Sequence, residues 1–215
     1  MLAMSETLGL DVFYPIVPDA QWLARLVPLG VRTVQLRLKD AARDEIRRQI
    51  AASIEVTRAH GCQLIVNDYW REAIEAGADW VHLGQEDLAG ADVAAIKGAG
   101  MHLGISTHSE TELELALDAA PDYVALGPVY ETKLKVMKWA PQGLDRVRQW
   151  KARIGDKALV AIGGITPQRA PAVLAAGAQS VAVITDFMTA AEPEQRVREW
   201  LAWADMMRRT VDRNG

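Results

Sequence analysis

The stretch Glu75-Ala-Gly-Ala-Asp79, followed by the apolar run Trp80-Val-His-Leu83, decides the fold of this chain. It has the pattern of a helix end, a glycine just beyond that end, and a new strand. A near copy, Ala175-Ala-Gly-Ala-Gln179, stands towards the other end of the chain and precedes another apolar run, at residues 180–184. This repeated junction indicates that helices and strands alternate along the chain.

Outward from these junctions, short β-branched runs alternate with helix-like segments. Most of the runs are continuously apolar, as expected for parallel strands that are covered on both faces. The predicted strands are residues 12–17, 33–38, 64–67, 80–83, 101–105, 123–126, 159–162 and 180–184. The predicted helices are residues 19–27, 42–59, 69–76, 92–97, 109–119, 144–152, 167–176 (with Pro167 in its first turn) and 194–213.

Eight β/α alternations with short connections favour a closed barrel over a doubly wound open sheet. The first strand is not followed by a G-x-G-x-x-G string, which counts against a dinucleotide-binding version of the open sheet. We therefore predict an α/β fold, a (β/α)8 TIM barrel, as a single domain over residues 1–215. The strands would span roughly residues 12–184, and the helix at 194–213 would close the barrel.

Composition and charge limit the classes of function. Of the 215 residues 50% are hydrophobic and 24% charged, and the net charge is −4, so no basic excess indicates nucleic acid or an anionic membrane as a partner. The single cysteine, Cys62, precedes an apolar run and is predicted to be a buried structural thiol, as suits a reducing compartment. Without a secretory-type leader or an apolar run of about 18 residues, the chain is expected to be cytoplasmic and to act without a membrane.

Polar side chains recur at every second position near the end of the second predicted strand, at Gln35, Arg37 and Lys39. This spacing places the three on one face of a strand. An amide, a guanidinium and an ammonium group that point the same way suit a diphosphate, or a heterocycle that carries one. The alternative is a solvated strand edge, but two positive charges that point into a barrel are costly unless they are paired.

Two carboxylates, Asp68 and Asp87, follow the third and fourth predicted strands. Barrel enzymes gather their sites at the carboxyl ends of the strands, so these neighbours are expected to converge. Carboxylates beside a basic cluster form an oxygen-ligand site for Mg²⁺, which would bridge to a diphosphate. Because each aspartate also precedes a helix, the alternative is that both are helix N-caps.

Further candidates lie at the ends of strands five to eight. Ser106 stands at the mouth of the fifth strand, where its hydroxyl could donate to a phosphate oxygen. The Gly163-Gly164 turn follows the seventh strand, where many barrels bind phosphate, although a tight turn without a ligand is the alternative. The long connection 127–143, which contains hydroxyl and lysine groups, is either a loop that closes over a phosphate or a plain surface loop.

The remaining polar groups have simpler explanations. His82 lies inside a strand and is predicted to be a hydrogen-bonded structural histidine rather than a base. His108 is predicted to be a solvated loop residue, and Ser109 with Glu112 forms a predicted capping box at the start of the next helix. Motifs for covalent, zinc or nucleoside-triphosphate chemistry do not occur in the sequence.

Six strings occur in order along the chain and together resemble the thiamine phosphate synthase family. Each string is weak alone, but the ordered set is specific and covers nearly the whole chain. The strings are Gln35-Leu-Arg-Leu-Lys39, Val66-Asn-Asp68, Val81-His-Leu-Gly-Gln-Glu-Asp87, Gly104-Ile-Ser-Thr-His108, Leu126-Gly-Pro-Val-Tyr130 and Ala161-Ile-Gly-Gly-Ile165.

The resemblance implies a transferase that joins an aminopyrimidine diphosphate to a thiazole phosphate, with Mg²⁺ as cofactor, and releases thiamine phosphate and diphosphate. By the same resemblance, Arg37, Lys39 and Lys135 are catalytic and Asp68 and Asp87 bind the metal ion. The residues implied to hold the pyrimidine diphosphate are Gln35, Arg37, Lys39, Asn67, Ser106 and Lys135. Those implied to hold the thiazole phosphate are Thr132, Lys133, Leu134, Gly164, Ile184 and Thr185.

The sequence departs from the family pattern at three places. Leu134 stands where the family loop commonly has a second threonine, Thr185 stands where serine is common, and Gln168-Arg169 replaces a usual asparagine. Alternatives to a synthase are a thiazole tautomerase paralogue, a non-catalytic sensor of a phosphate ligand, and another phosphate-binding barrel such as an isomerase or aldolase. Lys39, Asp68, Asp87 and Lys135 favour the synthase, and a homodimer is one of the oligomeric states left open.

Overall fold

The computed structural model describes residues 9–132 and 139–214, with side chains to residue 210. Eight parallel strands pair in chain order and β8 pairs with β1, so the sheet closes into a barrel and confirms the predicted fold. The strands are β1 (Phe13–Val17), β2 (Thr33–Leu36), β3 (Gln63–Asn67), β4 (Trp80–Leu83), β5 (His102–Thr107), β6 (Tyr123–Leu126), β7 (Ala158–Ile162) and β8 (Ser180–Val183). The helices in the described part of the chain are α1 (Ala20–Leu26), α2 (Arg43–Ala59), α3 (Trp70–Ala76), α4 (Gln85–Ala89), α5 (Val93–Gly98), α6 (Glu110–Asp118), α7 (Gly143–Ile154), α8 (Ala170–Ala175), α9 (Thr185–Met188) and α10 (Pro193–Asn214).

Each strand has two buried faces because alternate side chains point to opposite sides of the sheet. In β1, Phe13 and Val17 pack outward against the helices, whereas Tyr14 and Ile16 point into the barrel. Both faces exclude water, which explains why the strands are continuously apolar in sequence.

A small second core fills the inside of the barrel. Its members are Tyr14, Ile16, Ile65, Trp80, Tyr123, Ala125, Val160 and Ala182. Tyr123 pairs in register with Gly104 of β5, and a Cβ added at Gly104 would lie 2.0 Å from the Tyr123 ring. The glycine therefore makes room for a large aromatic ring inside the barrel.

Helix α10 closes the outside of the barrel over β1, as predicted. Trp200 is fully buried and stacks on Phe13, with ring centroids 5.1 Å apart. At the far end of α10, Arg208 donates from Nη1 to both carboxylate oxygens of Asp11, at 2.6 and 2.7 Å. Apolar stacking and a buried ion pair thus hold the last helix against the first strand.

Several predicted boundaries were wrong, each for a local reason. β2 ends at Leu36, not at residue 38, so Arg37 and Lys39 lie beyond the strand. The helix predicted from residue 167 begins at Ala170, and its proline in the first turn is Pro171 rather than Pro167. Helices α4 and α9 were not predicted, because each is little more than one turn long and follows its strand directly.

The predicted capping box is half correct. The Ser109 hydroxyl accepts a hydrogen bond from the Glu112 N–H, as expected of an N-cap. The Glu112 carboxylate does not return to Ser109; it accepts from the backbone N–H of His108 at 2.7 Å and contacts the His108 ring at 2.8 Å. His108 is thus paired with a carboxylate, whereas a solvated loop histidine was predicted.

Cys62 is buried, as predicted for a structural thiol. Burial, with a smaller contribution from the charge of Asp11, raises its pKa to about 12. The thiol therefore stays protonated at neutral pH and is a poor nucleophile. Among the described residues, no helix is long and apolar enough to cross a membrane.

Candidate active site

The carboxyl ends of all eight strands open at one mouth of the barrel, and the predicted site residues in the described part of the chain lie near or just beyond those ends. Gln35 is buried inside β2, Arg37 is half-buried just past its end, and Lys39 is exposed. β2 stops at Leu36, so Arg37 and Lys39 lie beyond the strand. The charge of Arg37 nevertheless reaches His82 inside the barrel, as expected if Arg37 faces the same way as Gln35. The three residues form a path from the barrel interior to its rim, with the positive charges outermost.

Asp68 and Asp87 meet at the mouth. The Asp68 carboxyl lies close enough to Asp87 for the charge of Asp87 to affect its ionisation, and the Gly84 backbone N–H lies near enough to favour the charged form. Burial and the neighbouring Asp87 raise the pKa of Asp68 to about 6, although the positive charge of Arg37 works against this. Two carboxylates held in contact repel each other unless a proton or a cation lies between them.

Both aspartates are held in place by their backbones rather than serving as helix caps. Asp68 has φ +66°, a left-handed conformation that costs most residues about 1–2 kcal/mol and that Asp tolerates better than most. The N-cap of α3 is Tyr69, and Asp87 lies within α4, whose N-cap is Gly84. The N-cap alternative is therefore wrong for both residues.

The chemistry of this pair fits Mg²⁺. The described residues contain no group of three or more His, Cys, Asp or Glu side chains that could hold a metal ion. Mg²⁺ is commonly bound by one or two carboxylates, with water and substrate phosphate oxygens completing its octahedron. Asp68 and Asp87 would be the protein ligands, and substrate oxygens would supply the rest.

The Gly163-Gly164 turn packs against the segment that follows β6. The two glycines have φ +104° and +62°. A Cβ at Gly164 would lie 2.3 Å from the Glu131 carbonyl oxygen, and one at Gly163 would lie 2.6 Å from Pro128 Cα. The turn is therefore glycine-rich because two backbones approach closely there, which brings the segment that ends at Thr132 beside the end of β7.

Arg169 bridges the Gly163-Gly164 turn and the segment that follows β6. Its guanidinium donates to the Gly164 carbonyl oxygen at 2.7 Å and lies 4.8 Å from the centre of the Tyr130 ring. The departure from the family pattern at Arg169 thus places a cation–π contact and a hydrogen bond at the junction of the two loops.

The connection after β6 is closed at its base. Gln142 donates its backbone N–H to the Pro128 carbonyl at 2.7 Å, and Gly143 donates to Val129 at 3.0 Å. Trp139, near the returning end, stacks on the His108 ring. Lys133, Leu134 and Lys135 lie outside the described residues, so only Thr132 of the predicted loop residues is placed, half-buried beside the mouth.

The end of β8 lies next to this turn around the barrel. Ile184 follows the strand, and Thr185 is the first residue of α9. Asp186, the one carboxylate of α9, points elsewhere, because it accepts hydrogen bonds from Arg196 at 2.8 Å and from the Trp200 indole N–H at 2.7 Å. Its charge is thereby balanced by Arg196.

Below the mouth, a line of hydrogen bonds crosses the barrel interior. Gln35 Nε2 donates to the Tyr14 hydroxyl at 2.7 Å, and the Tyr14 and Tyr123 hydroxyls are 3.0 Å apart. Tyr123 is 2.8 Å from Nδ1 of His82, and Nε2 of His82 is 2.7 Å from the Ser106 hydroxyl. We call these five residues the interior chain; all five, including its two ends Gln35 and Ser106, line the same small cavity.

Burial dominates the chemistry of this chain. It lowers the pKa of His82 to about 3, with the charge of Arg37 adding to the effect, and raises the pKa of Tyr14 and Tyr123. His82 is bonded at both ring nitrogens, as predicted for a structural histidine. Such a ring holds its neighbours in place and is a weak base.

Sequence reasoning missed Tyr14, Tyr123 and Gln85. Gln85 donates to the Ser106 carbonyl oxygen at 2.7 Å and so fixes the end of β5. A signal for the tyrosines was present, since Gly104 inside an apolar strand indicates a bulky neighbour on the adjacent strand. Only the register of β5 with β6 identifies that neighbour as Tyr123.

Comparisons with known proteins agree with this geometry. The family model described as thiamine monophosphate synthase matches residues 14–187. A Rhizobium etli protein named thiamine-phosphate synthase is 58% identical over 193 residues, which cover 90% of this chain and 95% of that protein. A protein of the same name from Neisseria meningitidis serogroup A is 48% identical, covering 90% of this chain and 94% of its own length.

A solved structure is also similar over nearly the whole length. The thiamine phosphate pyrophosphorylase of Pyrococcus furiosus superimposes with a TM-score of 0.79 at 25% identity, covering 92% of this chain and 96% of that one. The match in sequence extends through every strand of the barrel except the first residue of β1, and the match in structure includes the closed sheet. The chain belongs to the thiamine monophosphate synthase family.

Proposed function

We propose that this chain is a thiamine-phosphate synthase, which joins an aminopyrimidine diphosphate to a thiazole phosphate with Mg²⁺ and releases diphosphate. The observation that carries the proposal is the contact of Asp68 with Asp87 at the mouth of the barrel, close enough to Arg37 for its charge to affect Asp68. Carboxylates for a metal ion beside a guanidinium form a site for a diphosphate, which needs both kinds of group.

The pyrimidine diphosphate would lie over β2 to β5. Gln35 and Ser106 line the cavity below the mouth, and Asn67 ends β3 as a buried amide beside them. These groups suit the polar edge of a heterocycle. Arg37 and Lys39 stand further out, where the diphosphate would be, and Lys135 would reach it from the loop after β6.

The thiazole phosphate would lie on the opposite side of the mouth. The support is the close packing of the Gly163-Gly164 turn against the segment that ends at Thr132, with Ile184 and Thr185 on the next strand. Barrels commonly bind phosphate at the loops after strands seven and eight. Thr132, Lys133, Leu134, Gly164, Ile184 and Thr185 are the residues assigned to this phosphate.

The proposed reaction needs positioning and charge rather than a protein base. Arg37, Lys39 and Lys135 neutralise the departing diphosphate as its bond to the pyrimidine methylene breaks. When bound at Asp68 and Asp87, Mg²⁺ would supply further neutralisation of that leaving group. The electron-rich aminopyrimidine stabilises the methylene cation, and the thiazole nitrogen, held nearby, donates its electron pair to that carbon.

The test is thiamine phosphate formation from the two purified substrates, with Mg²⁺ and with a chelator. We expect product with Mg²⁺, a loss of product with chelator, and recovery when Mg²⁺ is restored. Binding of the thiazole phosphate without any product would contradict the synthase and favour a tautomerase paralogue or a sensor.

Lys135→Ala is expected to lower kcat by about 100-fold, with little change in KM for the thiazole phosphate. The reason is that Lys135 is assigned to the leaving diphosphate, whose charge develops only as the bond breaks. Steady-state kinetics with each substrate varied in turn measure both constants. Lys151→Ala is the matched control, because Lys151 bonds to the Lys157 carbonyl on the outside of the barrel. Equal turnover in the two variants would remove Lys135 from the proposed mechanism.

A further inference from the structure

The interior chain ends at two groups that the proposed function assigns to the pyrimidine. All five residues of the interior chain line the cavity, and the three that join Gln35 to Ser106 are buried, at 1% exposure for Tyr14, 0% for Tyr123 and 6% for His82. The polar atoms of those three residues have their hydrogen bonds with one another and with the two ends. The hydroxyl and imidazole groups must satisfy one another.

Such a chain has a direction. Each hydroxyl has one proton to donate, and a neutral imidazole donates from one nitrogen and accepts at the other, so consecutive hydrogen bonds must run the same way. Gln35 donates from Nε2 to Tyr14, which sets the first step. Tyr14 then donates to Tyr123, Tyr123 donates to Nδ1 of His82, and His82 donates from Nε2 to Ser106.

The opposite direction would change both ends of the chain. Ser106 would donate its hydroxyl proton to His82, and Tyr14 would donate to the side-chain carbonyl of Gln35. Ser106 would then have no proton left for a ligand, and Gln35 would present its amide N–H₂ instead of its carbonyl oxygen. The two directions thus offer opposite hydrogen-bonding patterns to whatever lies in the cavity.

We propose that Tyr14 and Tyr123 are positioning residues, whose hydroxyls hold His82 as the Nε2–H tautomer and thereby make Ser106 a donor and Gln35 an acceptor towards the substrate. An aminopyrimidine carries amino N–H donors next to ring-nitrogen acceptors, so it complements one acceptor and one donor. The identity of this ligand rests on the proposed function, whereas the direction of the chain does not.

The local sequence is built around the Tyr123 hydroxyl. Gly104 has no side chain where a Cβ would lie 2.0 Å from Cζ of Tyr123 and 2.5 Å from its hydroxyl oxygen. The His82 ring stacks on the Tyr123 ring, with centroids 5.5 Å apart, and this contact orients the imidazole between its two partners. A phenylalanine at residue 123 would fill the same apolar volume. Packing alone therefore does not require the hydroxyl group, whereas the hydrogen bonds of the interior chain do.

The first test is the tautomer of His82 in the full chain without ligand, from long-range ¹H–¹⁵N NMR spectra at neutral pH. The His82 signals are assigned by their absence from His82→Asn. We expect a neutral ring with the proton on Nε2. A proton on Nδ1, or a charged ring, would overturn the proposal, since the chain would then run the other way or be broken.

The second test is Tyr123→Phe, which removes the donor to Nδ1 and the acceptor for Tyr14. We expect His82 to lose its single tautomer and kcat/KM for the pyrimidine diphosphate to fall about tenfold, while KM for the thiazole phosphate stays within about twofold. Thr107→Val is the matched control. The Thr107 hydroxyl, next to Ser106 on β5, is equally buried but bonds on the outer face to Ala125 and Trp150.

If Tyr123→Phe behaves like Thr107→Val in both readouts, the proposal is wrong. If Tyr123→Phe does not fold, two other measurements test the proposal. They are the tautomer of His82 in the wild-type protein and the kinetic comparison of Tyr14→Phe with Thr107→Val. The wild-type protein could have His82 protonated at Nε2 and yet make no thiamine phosphate. That result would overturn the proposed function, but the inferred direction of the hydrogen bonds in the interior chain would stand.

Discussion

Asp87→Asn is expected to make the protein more stable in the presence of a chelator and at least about 100-fold less active with Mg²⁺. The two effects have one cause. Burial, together with the charge of the neighbouring Asp87, raises the pKa of Asp68. Asparagine removes the repulsion and keeps nearly the same side-chain volume, so we expect about 0.5–1 kcal/mol more stability, a small value because Asp87 is exposed. It also removes a charged ligand from the proposed metal site.

Chemical denaturation in chelator measures the stability change, and thiamine phosphate formation measures the activity. A third readout is independent of turnover. Mg²⁺ added with inorganic diphosphate should raise the Tm of the wild type, because a ligand that binds only the folded state stabilises it, and the rise should be much smaller in Asp87→Asn.

Asp156→Asn is the matched control for this prediction. Asp156 is an exposed carboxylate between α7 and β7, at the end of the barrel away from the mouth. Its replacement should change neither stability in chelator nor activity. A stable, fully active Asp87→Asn variant would show that the carboxylate pair does not bind the metal ion used in catalysis.

Gly164→Ala is expected to lower the stability of the protein and to weaken binding of the thiazole phosphate. The cause is displacement of the segment that ends at Thr132 rather than a change of charge. The residue has φ +62°, and its new Cβ would lie 2.3 Å from the Glu131 carbonyl oxygen and 2.9 Å from Tyr130 Cβ. Backbone cannot rotate out of the way as a long side chain can, so the segment before Thr132 must move. We expect a loss of about 2–3 kcal/mol in stability and a rise of about tenfold or more in KM for the thiazole phosphate.

Gly61→Ala separates the two causes of that loss. Gly61 also has φ +62°, but a Cβ there would meet nothing within 4 Å. Its replacement should cost only about 1 kcal/mol, the conformational part, and should leave KM for the thiazole phosphate unchanged. If the two variants have the same KM, the contact between the turn and the loop does not position the thiazole phosphate.

The barrel itself could be predicted from the sequence because its signal is local and repeated. Continuous apolar runs such as Trp80–Leu83 recur between amphipathic segments, and a glycine just past a helix end, as at Gly77 and Gly177, marks several of the junctions. Burial on both faces of a parallel strand produces that pattern in every strand, so an error at one boundary does not change the fold. The boundaries failed where the local signal is weak, as at the end of β2, because Leu38 extends the apolar alternation past the last paired residue.

The site was predicted less completely, and the reason is again physical. Asp68 and Asp87 could be chosen because strand ends in a barrel share one mouth. Their proximity goes with the left-handed backbone of Asp68 and with the lack of a side chain at Gly84, where a Cβ would lie 3.1 Å from the Asp87 carboxylate. Neither condition can be read from residue types and spacing.

By itself, the sequence determined the order of strands and helices, the family, and which polar side chains stand at the mouth, since these follow from local pattern and ordered motifs. Only the tertiary structure decided that Tyr14, Tyr123 and His82 join Gln35 to Ser106. Those residues come from five different strands and are far apart in the chain. Closure of the barrel brings their polar atoms within hydrogen-bonding distance, and burial makes an unpaired polar group costly, so these groups pair with one another.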